Sequence, residues 1–167
     1  MTSTGACSLA HLAVISLRGG DEETAFGYAQ RAHAIVEQPR MRGDLASVAT
    51  WSVVAQLLCR RGDLQGAALA VERANAMLPR LTEGFWWLMI ETRILLAPVL
   101  AALGRGAEAA TCLAKAQALL ATHSDAGKLP DWHREAERTC AWPIAGGSRR
   151  RSSARPSGGS CAYSPAT

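Results

Sequence analysis

Histidine is the residue type in this sequence best suited to acid–base chemistry or metal binding. No two histidines have the H-x-x-x-H or H-E-x-x-H spacing that places two metal ligands on one helix face. The paired carboxylates Glu22 and Glu23 begin a predicted helix, where the helix dipole alone favours negative charge. We therefore predict a protein that is not an enzyme and has no catalytic, cofactor-binding or metal-binding residue. The four histidines are His11, His33, His123 and His133.

The five cysteines are spread along the chain, and no C-x-x-C pair occurs. An odd number at such spacing argues against a zinc site or a disulfide framework. We expect buried or incidental thiols in a reducing compartment.

The segment "EGFWWLMIETR" is the best candidate for a partner surface. Trp86 and Trp87 are adjacent, so on a helix they point about 100° apart. We predict that one of them, together with Trp51, lines a groove that binds a partner. The alternative is that the tryptophans fill gaps between helices. Glu91 and Arg93 would add polar contacts on the same face, or would be ordinary solvated charges.

Charge and hydropathy exclude several classes of function. Residues 1–145 carry fourteen basic and fourteen acidic residues, so this part of the chain is neutral. A neutral body argues against a nucleic-acid surface, because affinity for DNA comes largely from neutralised phosphates. The most apolar segment is interrupted by Glu91, Thr92 and Arg93, and no positive residue precedes the apolar N-terminal stretch. We predict a cytoplasmic protein that contacts neither membrane nor, directly, DNA.

The elements that carry these residues repeat along the chain at a fixed period. Residues 16–35, 58–77 and 100–119 superpose at an offset of 42 without a gap, with Gly20, Gly62 and Gly104 in register. Self-similarity at a fixed period is typical of helical repeat arrays. Small residues also coincide, at Ala25, Ala67 and Ala109.

Each unit indicates two helices joined at a glycine, which favours the left-handed conformation that closes a helix. Asp21 and Asp63 follow the first two glycines and are placed to cap the next helix, whereas Arg105 replaces the cap in the third unit. We predict an all-α fold of antiparallel hairpins in three units, with a short seventh helix from Asp131 to about Ala141. The six earlier helices are predicted at about 5–18, 21–37, 44–61, 63–78, 84–103 and 106–122.

The first predicted helix, "SLAHLAVISL", has no polar outer face, although the terminal unit of an array normally does. This suggests an array that once continued upstream. The repeat domain is predicted over residues 1–141, and residues 142–167 are predicted to be a disordered tail rich in Gly, Ser, Arg and Pro.

The repeat resembles the tetratricopeptide (TPR) class, with "ALGRGAEAA" as its closest instance and "CRRGDLQGA" as a looser one. Longer units of this kind are similar to the helical region of LuxR-type, MalT-like ATP-dependent transcription regulators. The likeness covers about residues 8–140, while the phosphate-binding loop of the family's ATPase is absent from this sequence. The resemblance implies a TPR-like α-solenoid that senses a small effector or a protein partner in its groove. The two alternatives are a free-standing adaptor whose groove holds a peptide or protein, and an enzyme with an α-helical active site.

In that family a DNA-binding helix-turn-helix would follow near residue 150. Here the chain instead reads "GGSRRRSSARPSGGSCAYSPAT", without apolar periodicity. Three interpretations stay open: a shifted reading frame, an inert tail, or a basic arm that touches nucleic acid.

The frame-shift interpretation makes a specific prediction. From Arg151 onward, the shifted frame joins the third base of each codon to the first two bases of the next. The degeneracy of the code permits this frame to encode "KLSETEWRVLRLLTGD", which is similar to the opening helix of a LuxR-type DNA-binding domain. Sequencing the gene through and beyond these codons should give this peptide, followed by an open frame for the remaining helices. A stop codon or an unrelated peptide in that frame would exclude the interpretation.

Overall fold

The computed structural model describes residues 3–41, 43–45 and 47–145, and these ranges contain helices and turns without a β-strand. This confirms the all-α prediction. The six expected helices begin and end within three residues of their predicted positions. The α-helices are α1 (Ser3–Arg18), α2 (Glu22–Val36), α3 (Ser47–Arg60), α4 (Leu64–Met77), α5 (Trp86–Ala102), α6 (Gly106–Thr122) and α7 (Leu129–Ala145).

The seventh helix is longer than predicted. It begins at Leu129 and ends at Ala145, so it has the same length as α5 and α6. Pro130 lies inside its first turn, where a missing amide hydrogen removes no intrahelical bond. The helix passes the boundary predicted at residue 141, and the remainder of the predicted tail, 146–167, lies outside the described residues.

Three equivalent corners end α1, α3 and α5. Gly20, Gly62 and Gly104 all have a positive φ, at 83°, 82° and 77°. After each glycine, the next amide donates a hydrogen bond to the carbonyl five residues earlier, which is the Schellman pattern. These bonds are Asp21 to Ser16 (2.9 Å), Asp63 to Leu58 (3.0 Å) and Arg105 to Leu100 (2.8 Å).

The predicted caps are present at the first two corners. The Asp21 carboxylate accepts a bond from the Thr24 amide at 3.0 Å, and the Asp63 carboxylate accepts one from the Gly66 amide at 2.8 Å. Arg105 forms no side-chain cap at the third corner, as predicted. Its guanidinium instead donates to two carboxylates, those of Glu108 and Glu72, at 2.6 Å each.

The helices pack first within each pair and then between pairs. α1 packs on α2, α3 on α4, and α5 on α6, while α1, α3, α5 and α7 form a continuous layer in which each contacts the next. α2, α4 and α6 each contact the helix that follows. The seams contain small buried residues, because alanine lets helix backbones approach closely. Equivalent buried alanines are Ala13, Ala55 and Ala97, then Ala25, Ala67 and Ala109, then Ala32, Ala74 and Ala116.

Helix α5 lies at the centre of the fold and contacts α3, α4, α6 and α7. Among the described residues, only the stretch Glu83–Ala102, which comprises α5 and the turn before it, has the length and apolar character needed to cross a membrane. That is weak evidence for a membrane span, because 56% of the apolar window is buried inside the protein, as in any core helix.

The outer face of α1 is apolar and exposed. Leu12 is 42% exposed and Ile15 is 63% exposed. Leu57 and Val99 occupy the position of Ile15 in the second and third hairpins, and both are buried beside other helices. The same sequence position is therefore a core position in the second and third hairpins and a surface position in the first.

The corner geometry predicts opposite effects for two glycine-to-alanine substitutions. Gly62→Ala should lower the free energy of unfolding by about 1–2 kcal/mol, because a Cβ is strained at positive φ even where no other atom is near. Gly27→Ala, on the exposed side of α2, should raise it by up to about 1 kcal/mol. Urea unfolding followed by circular dichroism measures both. Equal effects of the two substitutions would contradict the assigned corner.

Candidate functional site

The described residues include a cavity of about 510 Å³, here called the inner cavity. It lies between the C-terminal ends of α1, α3 and α5 and the middle of α7. The glycine corners bring these three helix ends together, and α7 closes the remaining side. The lining residues are Leu17, Arg18, Gly20, Gln56, Cys59, Arg60, Ile94, Pro98, Val99, Ala102, Glu135, Ala136 and Thr139.

Equivalent positions of the three hairpins meet at this cavity. Arg18, Arg60 and Ala102 are 42 residues apart in sequence, and all three line it. Ile94 and Val99 of α5, both buried, form part of an apolar floor. The inner cavity thus combines an apolar surface with two guanidinium groups, an arrangement common to sites for small ligands.

Arg18 connects the first helix to the last. Its guanidinium donates to the Glu135 carboxylate at 2.7 Å and lies 4.2 Å from the centre of the Trp132 ring. Burial lowers the pKa of Arg18 from its usual value, since desolvation disfavours its charged form. Two contacts from α7 therefore hold this side chain at the edge of the inner cavity.

A second polar contact joins α1 to α5. The His11 Nε2 atom lies 3.0 Å from a Glu91 carboxylate oxygen, and its Nδ1 atom lies 2.9 Å from the Cys7 carbonyl oxygen. Both ring nitrogens face acceptors, so both carry hydrogens and the imidazole is positively charged. The Cys7 sulfur, followed by the Glu91 carboxylate, raises the pKa of His11 to about 10.

Glu91 and Trp87, two of the predicted partner-surface residues, both contact His11. The ring centres of Trp87 and His11 are 5.3 Å apart. Glu91 is only 5% exposed, so its interpretation as a solvated charge is wrong. The carboxylate tolerates burial because a charged imidazole from another helix neutralises it.

The other predicted tryptophans also pair with histidines, on other helices. Trp86 stacks on His123 at the end of α6, with ring centres 4.2 Å apart. Trp51 is buried, contacts His33 of α2 edge-on at 5.0 Å, and lies beneath the Arg73 guanidinium at 4.3 Å.

The predicted surface is therefore not assembled in one place. The three tryptophans have different partners, and none of them lines the inner cavity. The contacts of Trp86 and Trp87 fit the alternative in which they fill gaps between helices, whereas Trp51 lines a separate cavity of about 400 Å³ with Arg73 and Met77. Arg93 is half-buried, donates to the Met89 carbonyl of its own helix at 2.8 Å, and is also absent from the cavity lining.

The residues that do line the cavity were missed in the sequence. A signal for Arg18 and Arg60 existed, since they occupy the same position in two consecutive units. The repeat places the two arginines at the ends of neighbouring helices, but it gives no sign that α7 packs beside them and closes a cavity.

Metal binding and thiol chemistry find little support in the described part of the chain. Residues 3–41, 43–45 and 47–145 contain no group of three or more His, Cys, Asp or Glu side chains that could hold a metal ion. Burial raises the pKa of the thiols of Cys59, Cys112 and Cys140, which keeps them protonated and poorly nucleophilic near neutral pH.

No protein-family model matches this sequence, and comparisons with curated proteins and with solved structures found no significant match.

The His11–Glu91 pair predicts a pH-dependent stability. The pKa of His11 is higher in the folded chain than in the unfolded chain. The charged imidazole therefore contributes fully to the free energy of unfolding below about pH 6.5, and this contribution is lost as the pH rises toward about 10. Between about pH 6.5 and 8.5, the free energy of unfolding should fall by up to about 1 kcal/mol per pH unit. His11→Gln should remove this slope and cost about 3 kcal/mol at pH 6.5, because it leaves Glu91 buried without a partner.

Urea unfolding of both proteins across this pH range measures the slope. His33→Gln is the matched control, since its imidazole is more exposed and lies 4.0 Å from Glu37. A slope that persists in His11→Gln, or disappears equally in His33→Gln, would show that the pair does not set the pH dependence.

Proposed function

We propose that this chain is the sensing segment of a LuxR-type transcription regulator and that its inner cavity binds a small effector or a protein partner. In this proposal the helices form a TPR-like α-solenoid of three hairpins with a period of 42, followed by α7. The equivalent corners at Gly20, Gly62 and Gly104 and the continuous layer of α1, α3, α5 and α7 support this arrangement.

The inner cavity is the observation that carries the proposal. Its lining includes one carboxylate, from Glu135, and no histidine, which supports binding rather than acid–base catalysis. The proposal assigns no reaction to the chain. It also assigns no direct DNA contact to the helices, because residues 1–145 are neutral. A cytoplasmic location is part of it.

Signalling in this proposal is a population shift between two packings of the array. Arg18 both lines the cavity and pairs with Glu135 of α7. An occupant that contacts Arg18 competes with that pair and loosens the contact between α1 and α7. The state of the cavity thereby changes the position of α7, the helix after which the DNA-binding module of such regulators would follow.

The exposed apolar face of α1, with Leu12 and Ile15, favours a second candidate function. The sequence predicted a free-standing adaptor with its partner in the groove, and this exposed face instead favours an adaptor that binds a protein partner on the outer side of α1. The two candidates thus place the occupant on different surfaces.

Native mass spectrometry after incubation with an extract of the source cells distinguishes them. The proposed function predicts a bound species that is lost in Ala102→Leu, which fills the cavity, and kept in Ala107→Leu, an exposed control on α6. A protein partner lost only in Leu12→Glu with Ile15→Glu would establish the adaptor instead. The absence of any bound species from the folded wild-type chain would overturn both.

A further inference from the structure

The side chains that line the inner cavity include two guanidinium groups and one carboxylate. Arg18 and Arg60 both line it, and Glu135 supplies the lining carboxylate. Glu135 already pairs with Arg18 at 2.7 Å, which leaves the Arg60 charge without a carboxylate inside the cavity.

Arg60 is available to a ligand. Its present partner is Glu22, 3.3 Å away, and the two side chains are 50% and 48% exposed. Water competes strongly for such an exposed pair, so an incoming anion can replace Glu22 with little loss. Arg18 offers further donors beside it, because Trp132 positions its guanidinium and the exposed Glu135 carboxylate can be replaced by an incoming anion.

The remainder of the cavity suits an apolar body with few polar atoms. Ile94, Pro98 and Val99 contribute an aliphatic surface, and Gln56 and Thr139 add hydrogen-bonding groups at its side. The volume of about 510 Å³ lies within the range typical of small-molecule sites.

We propose that the inner cavity binds a small amphiphilic anion, with its acidic group between Arg60 and Arg18 and its aliphatic body on the floor formed by α5. A carboxylate and a phosphate would both satisfy this chemistry, since each pairs with guanidinium groups. This inference rests on the proposed function, because it specifies the effector class for the same cavity.

Isothermal titration calorimetry with three probes that share one aliphatic chain tests the charge requirement. Octanoate, octyl phosphate or both should bind with one site per chain, and octanol should bind at least about tenfold more weakly. Binding by only one of the two anions identifies the acidic group. Octanol binding as tightly as the anions, or no binding of either anion to the folded chain, overturns the proposal.

Two pairs of variants test whether the anion binds in the inner cavity. Arg60→Gln should weaken anion binding by about tenfold or more, and Arg61→Gln, an equal change in charge at a residue outside the cavity lining, should alter it less than about twofold. Ala102→Leu should block binding while Ala107→Leu does not. Circular dichroism confirms that each variant is folded. Equal losses in Arg60→Gln and Arg61→Gln would refute the site.

The outcome separates this inference from the proposed function. Octanoate and octyl phosphate could both fail to bind while the wild-type chain binds a species from the cell extract that the Ala102→Leu variant does not. The cavity would then sense a ligand of another class. In that case the anion proposal is wrong and the proposed function stands.

Discussion

The left-handed glycine corner is the constraint on which the arrangement of this chain depends. At Gly20, Gly62 and Gly104 the backbone takes a positive φ and closes a helix with the same pair of hydrogen bonds. Each corner sends the following helix back along the one before it. The backbone geometry is the same at all three corners, and Arg18, Arg60 and Ala102, at corresponding positions before them, line one cavity.

Two polar contacts tie the first helix to the second half of the chain. His11 reaches Glu91 across 80 residues of sequence, and Arg18 reaches Glu135 across 117. In the His11–Glu91 pair the carboxylate is buried, so loss of His11 leaves a costly unpaired charge. The second is exposed on its Glu135 side and easily exchanged, which makes it the better candidate for a contact that yields to a ligand.

The apolar surface of α1 shows how context decides the role of a residue. Ile15 has the same place in its hairpin as Leu57 and Val99, yet it is exposed while they are buried. Its chemistry is that of a core residue, and it is a surface residue because none of the described helices packs against that side of α1. The inner cavity, with charged side chains on its wall, and the apolar outer face of α1 are thus two distinct candidate binding surfaces.

The sequence alone determined the features that depend on neighbours a few residues apart. Helix bounds, the corners at Gly20, Gly62 and Gly104, and the caps at Asp21 and Asp63 follow from local hydrogen bonding and backbone sterics, and these were predicted correctly. Helix α7 was predicted too short at both ends: Pro130 fits within its first turn, and the helix continues past Ala141 to Ala145.

The tertiary structure alone decided which distant side chains meet. Glu91 is buried because His11 of another helix neutralises it, and its own helix carries no sign of that partner. The cavity between Arg18, Arg60 and Glu135 exists because α7 packs against α5 and α6 and extends to α1. Such contacts depend on the angles at which whole helices pack, and those angles are set by the summed fit of many side chains rather than by any local pattern.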